Sequence, residues 1–268
     1  MGFLHTYQPS SVLFKIGFWQ IHWYGLLIVI AILLGIWLTI FLAKKKIDPV
    51  KSRQAGVAKP LFNRINIINL VFYLLIFGLL GARLFYVLLF PSYFFSHPLE
   101  ILKIWQGGLG IFGAVFTGLL VIFFYARRHN LSYLCLLDLF APALILGQAI
   151  GRWGNYFNQE LYGLPTNLPW GIPIGNLYVH PCFLYESFWD LGVFLILLLL
   201  YKKKIPGLVF SFYLILYPLG RFFIEFLRVD FQPIILNLRL FQFVSLILIG
   251  TGLLLFFRCR ARAKAQIL

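Results

Sequence analysis

The ten residues Gly151-Arg-Trp-Gly-Asn-Tyr-Phe-Asn-Gln-Glu160 bring an arginine, two asparagines and a glutamate to the end of the apolar stretch Leu134 to Ile150. Lipid penalises such groups. One ionisable residue at mid-bilayer costs roughly 2.5–3.5 kcal/mol on insertion scales. A chain that keeps them at the mouth of a membrane span has a use for them. A second group lies in Leu216-Tyr-Pro-Leu-Gly-Arg-Phe-Phe-Ile-Glu-Phe-Leu-Arg228. Tyr217, Arg221 and Glu225 are spaced i, i+4, i+8, so at about 100° per residue they fall within about 80° on one helical face. Arg228 follows three residues later. A polar stripe on a membrane helix belongs against other helices or a wet cavity. Mutual neutralisation of Arg221 and Glu225 is the simpler explanation, but it leaves Tyr217 and Arg228 unaccounted for.

These groups can recognise an anion. A guanidinium presents a planar fork that matches phosphate oxygens bidentately. Arg152 and Arg221 both stand toward the outer ends of their spans, where the available anion is a phospholipid headgroup. Asn155 and Asn158 add donors. Glu160, Glu186 and Glu225 can orient the arginines and hold the net charge down. His180-Pro-Cys-Phe-Leu-Tyr-Glu186 opens the next span; a lone histidine there is more often a structural hydrogen-bonder than a ligand. Asp138, ahead of Pro142, either pairs with a neighbour or with backbone freed by the proline, or serves the site. No Ser/His/Asp series, glycine-rich phosphate loop or HExxH motif is present, so neither nucleotide-driven nor metal-dependent chemistry is supported and no cofactor is expected.

The elements that position these residues are membrane helices. The chain is 61% hydrophobic and only 12% charged, too few charges to cover a water-soluble domain, and its mean hydropathy is +0.89. A span needs about 20 apolar residues. Seven are expected, at about 22–43, 66–90, 108–126, 133–151, 182–201, 207–228 and 240–257. The reading is all-α: a single integral membrane domain over 1–268, with an interfacial arm at 1–21 and an outer loop at 152–181. That loop is rich in Gly, Pro and Asn and is expected to be irregular but compact. Six of the seven tryptophans map near the outer boundary, as an aromatic belt would. Gly81 and Ala82 allow close approach of another helix, and a short helix is expected over Leu99 to Trp105.

The net charge of +15 does not signal nucleic acid. Walking the spans, 16 of the 23 lysines and arginines fall on one side: those of Lys44–Arg64, Arg127 and Arg128, Lys202–Lys204, and Arg258–Lys264. That asymmetry predicts an outer N-terminus and a cytoplasmic C-terminus, and basic clusters facing anionic inner-leaflet headgroups. Lys15, Arg83, Lys103, Arg152, Arg221, Arg228 and Arg239 remain on the disfavoured side and need another explanation. Cys135, Cys182 and Cys259 have no paired spacing that suggests a disulfide or zinc site. No basic region precedes the first span, so no cleavable leader is expected.

On these residues the chain resembles the prolipoprotein diacylglyceryl transferase family over nearly its whole length. The most specific match is Gly151-Arg-x-Gly-Asn-Tyr-Phe-Asn-x-Glu160 with Gly163. It is supported by His22-Trp-Tyr-Gly25, Gly81-Ala-Arg83, Trp105-Gln-Gly-Gly108, Asp138 with Ala141-Pro142, His180-Pro181 with Leu184-Tyr-Glu186, and Tyr217-x3-Arg221-x3-Glu225-x2-Arg228. The resemblance implies transfer of the diacylglyceryl group of phosphatidylglycerol to the lipobox cysteine thiol of a preprolipoprotein signal peptide, releasing glycerol phosphate. It implies a multi-pass protein of the bacterial cytoplasmic membrane, with its site toward the outer leaflet. By resemblance the catalytic residues are Arg152, Arg221, Glu160, Tyr24 and Asn155. Substrate contacts fall to Arg152, Arg221, Asn155, Asn158, Gly163, Tyr217, Glu225, Arg83, Arg228 and His180. The chain departs from the family where a histidine usually follows the Gly-Gly pair and is proposed to activate the thiol. Here Gly107-Gly-Leu-Gly-Ile-Phe-Gly113 carries Phe112. A thiol of pKa about 8.5 must lose its proton to attack, and Phe112 cannot take it. Glu160, His180 or the arginine field itself are the candidates that remain. Phe183 also replaces a frequent family glutamine. The alternatives are an inactive relative that binds lipid or lipoprotein, and a phospholipid or anion transporter.

Overall fold

In lipid a chain segment can satisfy its own backbone only as a helix or in a closed barrel. The computed structural model, which describes residues 9–17, 19–45, 66–203, 205–230 and 232–264, has seven helices long and apolar enough to cross a membrane. They are α1 (Trp23–Lys45), α2 (Ile67–Leu89), α4 (Ile111–Arg128), α5 (Tyr133–Phe157), α6 (Cys182–Tyr201), α7 (Leu208–Ile224) and α8 (Leu240–Lys264), with the short α3 (Pro91–Ser96) between α2 and α4. Most of the basic segment expected as a loop at 44–64 lies outside the described residues. The chain groups into two compact units, Met1–Thr39 with Asp138–Leu268, and Ile40–Leu137.

In the second unit α2 and α4 cross at the small residues. A Cβ on Gly113 would stand 2.1 Å from the Gly81 carbonyl oxygen, so the two backbones touch as the Gly81-Ala82 pair predicts. The connection between α2 and α4 holds α3 and two 3-10 turns, Pro98–Leu102 and Ile104–Gln106, in place of the single short helix expected there. Phe112 sits in the first turn of α4, its ring 6.0 Å from that of Phe85.

In the first unit, β1 (Val12–Ile16) and β2 (Trp19–His22) form an antiparallel hairpin that leads into α1. This gives the expected interfacial arm a defined structure. A second hairpin, β3 (Ile172–Ile174) with β4 (Leu177–Val179), organises the segment between α5 and α6. A third, β5 (Ile234–Ile235) with β6 (Leu238–Arg239), lies just before α8. Its two turn residues, Leu236 and Asn237, have φ of 52° and 62°, the doubly left-handed turn that suits strand twist.

Asp138 has a defined task. It lies on α5, and its carboxylate accepts the backbone N–H of Gly207 and of Phe210, both at 2.8 Å. These belong to the start of α7, where Gly207 occupies the capping position with no side chain to accept the free donors. Asp138 therefore pairs with backbone N–H groups at a neighbouring helix's start, and not with the backbone freed by Pro142 that the sequence suggests. Asp138→Ala strands buried N–H groups and should cost about 1–3 kcal/mol, while Asp138→Asn, which keeps an oxygen acceptor, should lose less. Thermal unfolding of the detergent-purified variants checks the order.

Candidate active site

Helix α5 continues through Gly151 to Phe157, past the expected end at 151, so Arg152 and Asn155 stand on a helix. Aromatic packing stabilises the extra turn. Trp23 stacks on Phe157 with ring centroids 4.6 Å apart, and Tyr156 stacks on Phe183 at 4.7 Å. Tyr156 and Phe183 form a buried core with Ile172 and Val179 of the β3–β4 hairpin. The loop between α5 and α6 is thus anchored on the polar end of the helix. Gly163 is the tightest point of that anchoring. A Cβ there would stand 2.7 Å from His180 Cβ and 2.9 Å from the Leu227 carbonyl. The neighbouring Leu164 N–H donates to that same carbonyl at 2.7 Å, joining the loop to the end of α7.

The centre of the site is Glu186, buried at 5% exposure on α6. Three guanidiniums converge on its carboxylate. Arg152 Nε lies 2.5 Å from Oε2, a charge contact not aligned as a hydrogen bond. Arg221 Nη1 donates to Oε1, and Arg228 Nη1 donates to the same oxygen at 3.4 Å. Arg221 also reaches Glu225 Oε2 at 2.8 Å through Nη2, and its guanidinium lies 5.0 Å from the centre of the Phe241 ring. Arg152, Glu186, Asp190, Tyr217 and Arg221 line one narrow pocket, closed to a water molecule as it stands, with Trp189, Gly220 and Ile224 as its other walls. The helical stripe Tyr217, Arg221, Glu225 therefore faces protein, as its spacing predicts.

Helix α7 then tightens into a 3-10 turn, Glu225–Leu227, and Arg228 is extended. The carbonyls released there are taken by Arg239, whose Nη1 donates to the oxygens of Glu225 at 2.9 Å and Arg228 at 2.6 Å. Arg228 Nε donates to Asp230 at 2.7 Å. Gln232 Nε2 donates to Glu225 and to Asp230, both at 2.8 Å. Burial alone would raise the Asp230 carboxyl, but the donors Arg228 and Gln232 outweigh it and hold it below its ordinary 3.8. Its stabilising contribution is therefore present at neutral pH and lost only as the pH falls through that lowered value.

The other expected residues have separate surroundings. Asn155 and Asn158 both donate to Glu160 Oε1, at 2.9 and 3.4 Å. The Tyr24 ring packs against the backbone of Gly154. His180 Nδ1 lies 3.2 Å from the Tyr185 hydroxyl, which also accepts from Trp170 Nε1 at 2.8 Å. Arg83, in the second unit, gives its donors to backbone. Nε donates to Ile101 O at 2.9 Å, Nη1 to Gly107 O at 2.8 Å and Gly108 O at 3.0 Å, and Nη2 to Glu100 O at 2.5 Å. It pins the segment before α4. Sequence reasoning missed Asp190, Asp230 and Gln232, and gave Arg239 no role. Asp190 carried a usable signal, an acid four residues after Glu186 on the same helical face.

A family model described as prolipoprotein diacylglyceryl transferase matches residues 11–258. The phosphatidylglycerol-prolipoprotein diacylglyceryl transferase of Synechocystis sp. is 42% identical over 264 residues, covering 91% of this chain and 88% of the relative. Its namesake from Nostoc sp. is 43% identical over 270 residues, covering 94% and 90%. A third, from Finegoldia magna, is 39% identical over 248 residues, covering 92% and 94%.

Removing one partner from a buried ion pair leaves the others uncompensated and typically costs about 3–5 kcal/mol. Glu186→Gln keeps the side chain's shape but leaves three guanidiniums without their shared anion. It should lower stability by that order in thermal or denaturant unfolding of the detergent-solubilised protein. A change under about 1 kcal/mol, the size of an exposed pair, would show that Glu186 does not organise the cluster.

Proposed function

Because the chain belongs to the prolipoprotein diacylglyceryl transferase family, we propose that it moves the diacylglyceryl group of phosphatidylglycerol to the thiol of a lipobox cysteine in a preprolipoprotein. The observation that carries this reading is the convergence of Arg152, Arg221 and Arg228 on Glu186, with two of these arginines lining one pocket. Sulfur attacks the glycerol carbon next to the phosphate ester oxygen. The carbon–sulfur bond forms, the carbon–oxygen bond breaks, and the electron pair leaves on glycerol phosphate while the thiol gives up its proton. Negative charge builds on the phosphate oxygens as that bond breaks. Fixed guanidiniums in a dry site stabilise it without reorganising. Arg152 and Arg221 hold the phosphate, Tyr217 shapes the pocket wall, and Glu225 and Arg228 fix Arg221 and Glu186. Tyr24, Asn155, Asn158, Glu160, Gly163 and His180 shape the outer mouth that admits the peptide. Arg83 positions the segment that leads to Phe112.

The protein is a multi-pass membrane protein. We assign it to the bacterial cytoplasmic membrane with the site toward the outer leaflet. Support comes from charge placement. α6 begins beside the arginine network and ends at Lys202 and Lys203, and α8 begins after Arg239 and carries Arg258, Arg260 and Arg262 near its other end. Basic residues gather on the cytoplasmic side. A transporter reading has less support, because the buried ion pairs described gather at one end of their helices.

Incubation of the purified protein with phosphatidylglycerol and a lipobox peptide should add a diacylglyceryl mass to the peptide, and Arg152→Ala should abolish the gain. Absence of any gain from folded protein that still binds the lipid contradicts the reading. Arg221→Lys keeps the charge but loses the planar fork. Turnover should fall by at least about tenfold, the equivalent of about 1.4 kcal/mol in the barrier; wild-type turnover would remove Arg221 from the phosphate clamp.

A further inference from the structure

One acid of the pocket has no work in the reading above. Asp190 lies on α6, one turn beyond Glu186, and is 2% exposed. Its Oδ2 is buried without a hydrogen-bond partner. Leaving a buried carboxylate oxygen unpaired is costly, and such a group in a native site calls for an explanation. The charged and titratable groups facing it are Arg152 from α5, Tyr213, Tyr217 and Arg221 from α7, and Glu186 from its own helix. Arg152, Tyr217, Arg221 and Glu186 line the same pocket as Asp190.

We propose that Asp190 is the catalytic base of this chain, accepting the thiol proton through its unpartnered oxygen. The assignment rests on the transferase reading. Sulfur must approach the carbon that bears the phosphate oxygen, opposite the bond that breaks. An acceptor that takes its proton and passes it to the departing phosphate has to reach both, at the edge of the pocket that holds the phosphate. The carboxylates of Glu186 and Glu225 are taken up by guanidiniums, and Glu160 accepts two amides beyond this pocket. Asp190 offers a lone pair in the right place. The proton passes from sulfur to Asp190 as the thiolate forms, and from Asp190 to the departing glycerol phosphate. No other co-reactant is needed.

A selenol is far more acidic than a thiol and is already ionised at neutral pH, so it needs no base. Lipobox peptides carrying cysteine or selenocysteine are therefore compared with phosphatidylglycerol and the full-length protein, reading the thioether and selenoether by mass spectrometry. Asp190→Asn should slow the cysteine peptide about 10²–10⁴-fold, the usual contribution of a positioned acid or base, and leave the selenocysteine peptide near the wild-type rate. Equal losses with both peptides, or no loss with cysteine, overturn the assignment. Asp190→Glu keeps the carboxylate and should move the acidic limb of the cysteine pH profile alone; an unmoved limb also overturns it. Wild-type protein that modifies neither peptide would refute the transferase reading itself, a different result from any of these.

Discussion

Three guanidiniums sharing one carboxylate inside a membrane protein set the terms for everything around them. Each charge taken out of water costs several kcal/mol even after relaxation, and only good geometry with satisfied hydrogen bonds recovers it. Glu186 is therefore not free to move without stranding Arg152 and taking one of their two anions from Arg221 and Arg228. Those three come from two further chain segments, the end of α5 and the end of α7. The cluster consequently fixes where α5, α6 and α7 meet. The same rigidity suits the proposed chemistry, because a charge field that is already in place costs nothing to arrange when a phosphate oxygen becomes more negative.

Several smaller devices hold that cluster in place. Asp138 caps the far end of α7 from α5, setting the register of the helix that carries Arg221. The 3-10 turn at Glu225 ends α7 early, and the β5–β6 hairpin returns Arg239 to its open carbonyls, a cation at a helix C-terminus. Gly163 lets the α5–α6 loop touch both His180 and the turn that follows α7 without a side chain between them. None of these residues needs to contact a substrate to matter, since each positions a residue of the proposed phosphate clamp or its support.

The helices were legible because lipid leaves so few choices. Uninterrupted apolar runs gave seven spans, and the i, i+4, i+8 spacing of Tyr217, Arg221 and Glu225 placed them on one buried face. Small residues marked the α2–α4 crossing at Gly81. Less was visible where partners are distant in sequence. Asp138 and Phe210 are 72 residues apart, and nothing local announces that one caps the other. The extra turn of α5 depends on Trp23 and Phe183, which the composition of residues 152–157 does not reveal. Gln232 and Asp230 looked like ordinary loop residues until the hairpin folded them onto Glu225 and Arg228. Asp190 was hidden differently. Its spacing from Glu186 was in plain view, but a single acid in a helix gains meaning only when its empty oxygen is seen beside two arginines.

The central claim is that Arg152 and Arg221, held by Glu186, receive the phosphate of a phospholipid. The most direct measurement is an electron cryo-microscopy map of the protein in nanodiscs containing phosphatidylglycerol. The account predicts phosphate density between the two guanidiniums, with Glu186 still bound to at least one of them and the acyl chains leading away into the bilayer. Phosphate bound elsewhere, with the pocket between Arg152 and Arg221 closed and unchanged, would contradict it.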